Sequence, residues 1–96
     1  MQQDEVRSIL VTHQNAIKSY GVRTIFIFGS VARDEATAES DVDILVEFEG
    51  AVTFDRYMDL KFYLEDQLRT KVDLVTKRSL KPQIRASVEQ EAIRVT

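Results

Sequence analysis

Residues 23–28 (Arg23, Thr24, Ile25, Phe26, Ile27, Phe28) are β-branched or aromatic in all but one position and run without a break into Gly29 and Ser30. A run of this kind fits a central strand covered on both faces, and the glycine closes it at a turn. From Asp41 to Phe48 the chain alternates: Val42, Ile44, Val46 and Phe48 point to one face, Asp41, Asp43, Leu45 and Glu47 to the other. This predicts a second strand with one acidic face. A third strand is predicted over Lys71–Thr76, where Val72 and Leu74 alternate with Asp73 and Val75.

Helical periods fill the rest. Val6, Ile9, Leu10, His13, Ile17 and Tyr20 recur at steps of three and four and predict an amphipathic helix over residues 4–20, stopped by Gly21. His13 lies on that apolar stripe and reads as a core or interface histidine. Phe54, Tyr57, Leu60, Leu64 and Leu68 mark a helix over residues 53–69. Tyr57, Met58, Phe62 and Tyr63 cannot all face one core from that helix, so some are expected at the surface or against a partner. Pro82 suits the first turn of a last helix over residues 81–91, with Ile84 and Val88 expected to pack inward. Residues 31–33 are expected to form a short helix and the segment from Glu35 to Glu39 a loop. The predicted order is α-β-(α)-β-α-β-α, an α+β domain in two layers with a small mixed sheet flanked by helices and one sheet face partly open.

With 96 residues the chain has room for one domain, residues 1–96, and an apolar share of 44% marks it as globular. The absence of cysteine excludes disulfides, thiolate metal sites and a thiol nucleophile. No apolar run approaches a membrane span and the N-terminus is polar, which predicts a cytoplasmic protein. A net charge of −3 argues against direct nucleic-acid binding, although residues 69–96 carry 7 bases against 3 acids. Within that end, Lys77, Arg78, Lys81 and Arg85 read either as a solvated helix start or as a contact for an acidic partner or a triphosphate.

Two aspartates at i and i+2 on a strand point the same way, with Cα atoms about 6.5–7 Å apart. Asp73 joins Asp41 and Asp43 if Val72 and Leu74 face the same helices as Val42 and Ile44. Ionised pairs at about 6 Å and an effective dielectric near 20 repel by about 3 kcal/mol, so something positive is expected there. Oxygen-only ligands select a hard cation, and Mg²⁺ suits one or two carboxylates plus waters and phosphates. Gly29 lets the backbone approach a ligand closely, the Ser30 hydroxyl can bond a phosphate oxygen, and Arg33 can neutralise further phosphate charge. A metal–nucleotide site is the expectation.

Gly29-Ser30, ten intervening residues and Asp41-Val42-Asp43 stand within Ile-Phe-Gly-Ser-Val-Ala-Arg and Ser-Asp-Val-Asp-Ile-Leu-Val. The pattern resembles the signature of the nucleotidyltransferase superfamily with the polymerase beta-like fold. At ordinary residue frequencies its four fixed positions coincide by chance in roughly one chain of this length per thousand, so context outweighs a reading as a plain turn and a solvated strand edge. The whole chain is similar to the family's minimal members, the MNT proteins.

That resemblance implies a catalytic and metal-binding set of Asp41, Asp43 and Asp73, holding two Mg²⁺ ions, with Asp73 helping to activate the attacking hydroxyl. It implies nucleotide binding by Gly29, Ser30, Arg33 and Ser40, with ATP as donor. In place of the glycine common after the arginine stands Asp34, which tolerates a left-handed backbone better than most residues but adds negative charge. The implied function is transfer of AMP to a tyrosine of a HEPN-domain ribonuclease toxin, the chain acting as its antitoxin. The alternatives are a non-catalytic antitoxin that neutralises by binding, and a nucleotidyltransferase for a small-molecule or RNA acceptor. A chain this small has nothing left to enclose an acceptor, so the acceptor is expected to be another macromolecule.

Overall fold

The computed structural model describes residues 1–96. All three predicted strands form and join a fourth in one mixed sheet of order β3-β2-β1-β4. β1 (Val22–Phe28) pairs antiparallel with β2 (Val42–Phe48), and β2 pairs parallel with β3 (Val72–Thr76). β4 (Ile93–Arg94) lies antiparallel on the far side of β1. The architecture is the expected α+β arrangement of a small mixed sheet and helices.

A parallel pair needs a crossover, and α4 (Phe54–Leu68) supplies it between β2 and β3. Thr53 starts that helix by accepting the Arg56 N–H at 3.1 Å, and Arg69 ends it with a left-handed φ of 56°. Leu60, Leu64 and Leu68 recur every four residues and are buried on one sheet face. α1 (Gln3–Thr12) and α2 (Gln14–Ser19) add Val6, Leu10 and Ile17 to the same core, against Ile25, Ile27, Ile44 and Val46. This helix-covered face holds the β1 and β2 strands in register, and with them the residues at their ends.

Several expectations need correction. The first helix is broken at His13, whose φ of −102° and ψ of 16° leave the helical region. His13 is half-buried there, with Nδ1 at 3.1 Å from the Tyr63 hydroxyl, so a cross-helix hydrogen bond accompanies the break. Leu45 was expected on the acidic face yet is fully buried, because its β1 partner is Phe26 and the middle of the second sheet face is apolar. Lys77 extends that cover, its Nζ 4.7 Å from the Phe26 ring centre. Phe54, on the predicted apolar stripe, begins α4 and is 75% exposed. α5 (Pro82–Glu91) buries no residue at all, and Ile84 is 49% exposed rather than packed inward. β4 was not expected: two residues carry too little pattern to be read as a strand.

Candidate active site

The end of β1 and the starts of β2 and β3 meet at one end of the sheet. Phe28 is the register partner of Asp43, and Asp43 of Asp73, so one row crosses three strands. Because side chains alternate, Asp43 and Asp73 project from the sheet face opposite the core residues Ile44 and Leu74. Asp41 stands ahead of β2 and is exposed, as is Asp73, while Asp43 is half-buried.

Burial raises the Asp43 carboxyl to about 6, helped by the Asp73 carboxylate and, further off, by Asp41; the Arg33 charge pulls the other way. No three acidic side chains are gathered closely enough to ring a single ion by themselves. The donor set nevertheless fits Mg²⁺, which takes one or two carboxylates and fills its other positions with water and phosphate oxygens. Asp43 and Asp73 are the pair the register fixes, with Asp41 two residues away on the same side of β2.

Gly29 follows Phe28 with φ of 70°, a left-handed conformation that favours glycine. A Cβ built there would run into the Asp43 carboxylate, so only glycine lets the turn lie against that acid. α3 (Gly29–Ala32) is a single turn, closed by Arg33 N–H to the Gly29 carbonyl at 3.1 Å and by Glu35 N–H to the Ser30 carbonyl at 2.8 Å. Ser30 is thereby fixed one residue beyond the glycine. Asp34 takes a left-handed φ of 58°, the conformation for which an aspartate substitutes tolerably for glycine.

Arg33 reads from the sequence either as a phosphate contact or as a surface partner of Glu35 or Asp34; its Nε donates to Glu35 at 3.1 Å and its Nη1 to Glu91 at 3.0 Å, and these hydrogen bonds, Glu35 first, raise its pKa. Ser40 closes the loop before β2, its hydroxyl accepting the Thr37 N–H at 3.0 Å. Glu91 is the residue that sequence reasoning missed: it lies at the end of α5 and also accepts the Gly29 N–H at 3.1 Å. No local pattern marks it, since the contact spans 62 positions. Lys77 and Arg78 follow β3 at its other end, away from the acids, and line a cavity of about 420 Å³ with Arg23, Glu47 and Glu49. At the acidic end of the sheet Asp41 and Asp73 are exposed and Asp43 is half-buried.

A glycine turn thus lies against paired strand carboxylates at one end of a mixed sheet. The nucleotidyltransferase domain family matches residues 10–95. The protein adenylyltransferase MntA of Thermococcus cleftensis is 44% identical over 93 residues, covering 96% of this chain and 94% of that protein. Among solved structures, one provisionally named a minimal nucleotidyltransferase superposes with a TM-score of 0.86 at 38% identity, covering 97% of this chain and 95% of the other. An MNT antitoxin in complex with a tri-AMPylated HEPN toxin from Shewanella oneidensis shares the fold, with a TM-score of 0.71 at 20% identity over 99% of this chain and 72% of the other. The chain belongs to the nucleotidyltransferase domain family and is a nucleotidyltransferase of the minimal kind.

Proposed function

We propose that this chain is a Mg²⁺-dependent protein adenylyltransferase that moves AMP from ATP to a tyrosine of a HEPN-domain toxin and so acts as its antitoxin. The observation that carries the reading is the register pair Asp43 and Asp73 with Gly29 laid against Asp43. The names of the MntA relative and of the AMPylated toxin complex support the choice of AMP and of a protein acceptor. Bound Mg²⁺, as two ions, would offset the charge of carboxylates and phosphates and make the acceptor hydroxyl more acidic.

Asp41 and Asp43 hold the cation side of the nucleotide. Gly29 lets the turn lie close to the phosphates, the Ser30 hydroxyl receives a phosphate oxygen beside it, and Arg33 and Ser40 lie further along the same loop. Asp73, exposed on β3, takes the proton of the acceptor hydroxyl. The hydroxyl oxygen bonds to the α-phosphorus, the bond from that phosphorus to the bridging β-oxygen breaks, and pyrophosphate leaves with the electron pair. Exposed acids at this end of the sheet suit an acceptor that brings its own surface, which favours a protein over a small molecule.

The test is intact-mass measurement of the cognate HEPN protein after incubation with this chain, ATP and Mg²⁺. Gains of whole AMP units are expected, and their loss on Asp43→Asn. An unmodified toxin that the Asp43→Asn protein neutralises as well as wild type at equal concentration would replace catalysis by simple binding.

A further inference from the structure

We infer that Glu91 is a positioning residue for the nucleotide half of the site, tying the helix α5 to the Gly29 turn and to Arg33. The inference rests on the proposed reading that this turn and Arg33 receive the triphosphate. One carboxylate accepts three hydrogen bonds: from Gly29 N–H at 3.1 Å to Oε1, and from Arg33 Nη1 at 3.3 Å to Oε1 and 3.0 Å to Oε2. These are charge-assisted bonds, and Glu91, whose side chain is 29% exposed, is partly sheltered from water.

The consequence for Gly29 is a two-sided constraint. The Asp43 carboxylate occupies the space where a Cβ would stand, and Glu91 takes the N–H. The turn is therefore held against the metal-binding acids rather than free to lift away. For Arg33, Glu35 on Nε and Glu91 on Nη1 fix the plane of the guanidinium, leaving Nη2 for a further acceptor. α5 buries no side chain, and the antiparallel pairing of Ile93 with Ile27 just beyond it is what brings Glu91 opposite Gly29. Glu91 is also not a group that meets the reacting atoms; it acts through Gly29 and Arg33. Such preorganisation lowers the entropy cost of binding the phosphates and is read out chiefly in KM.

The experiment compares wild type, Glu91→Ala, Glu91→Gln and Glu91→Ala combined with Arg33→Ala in AMP transfer to the HEPN protein, with the exchange rate of the Gly29 amide followed by NMR in nucleotide-free protein. Glu91→Ala is expected to raise KM for ATP about tenfold, with kcat changed by less than about threefold. Glu91→Gln keeps an acceptor oxygen and is expected to recover most of the loss. In the Arg33→Ala background the added effect of Glu91→Ala shrinks, because the two act together. The Gly29 amide exchanges faster in Glu91→Ala and returns toward the wild-type rate in Glu91→Gln. A lower KM in Glu91→Ala, showing that the carboxylate competes with phosphate, overturns the inference, as does an unchanged KM or an unchanged Gly29 exchange rate. Failure of wild type to transfer AMP instead removes the proposed function, and the amide exchange, which needs no catalysis, then decides whether Glu91 holds the turn.

Discussion

Asp43 and Asp73 are register partners on the adjacent parallel strands β2 and β3, two acids side by side on the face opposite the core. Their proximity, with burial the larger cause, lifts the Asp43 carboxyl from 3.8 to about 6. The folded chain then binds this proton more tightly than the unfolded chain does. Stability from this group is present below the unfolded value and is lost as pH rises through about 4 to 6. Without Mg²⁺, the melting temperature of Asp43→Asn is expected to exceed that of wild type at pH 7.5 and to approach it at pH 4.5. Thermal melts across that range check this; parallel curves for the two proteins would count against it.

Gly29 joins a left-handed φ to a close approach by the Asp43 carboxylate. Gly29→Ala is therefore expected to lose AMP transfer by at least about a hundredfold and to destabilise by about 1–3 kcal/mol. Urea unfolding alongside the mass assay separates the two effects. An alanine protein with wild-type transfer would show that the turn tolerates displacement.

Asp34 occupies the other left-handed position of the loop, at φ 58°. Asp34→Gly is expected to leave stability within about 0.5 kcal/mol, because relief of the backbone is offset by the freer unfolded chain. Asp34→Val, β-branched and without a local hydrogen-bonding side chain, is expected to cost about 1–2 kcal/mol. Equal unfolding midpoints for the glycine and valine variants would refute the backbone account.

Leu64 is fully buried beneath α4, whereas Ile84 on α5 is 49% exposed. Leu64→Ala is expected to destabilise by about 2–5 kcal/mol and Ile84→Ser by less than about 0.5 kcal/mol. Chemical denaturation of both variants tests whether α5 contributes to the core. A large loss for Ile84→Ser would restore the inward packing that its helical spacing suggested.

Local chemistry was legible wherever it repeats within a few residues. The alternation of Val42, Ile44 and Val46 against Asp43 and Glu47 announces a half-buried strand, and Leu60, Leu64 and Leu68 announce the buried side of α4. Gly29, Ser30, Asp41 and Asp43 could be singled out because together, at their spacing, they resemble the nucleotidyltransferase signature; the glycine and serine alone would read as a turn. The break at His13 and the exposure of Phe54 and Ile84 were not legible, since a helical period says which residues share a stripe but not which stripe finds a partner.

By itself the sequence determined the three principal strands and the crossover helix, because backbone geometry imposes short periods that side chains must follow. Tertiary structure alone decided that Asp43 faces Asp73, that β4 closes the β1 edge, and that Glu91 reaches Gly29 and Arg33. Strand register and helix docking are set by which distant surfaces bury each other, and a contact across 62 positions leaves no local trace in the chain.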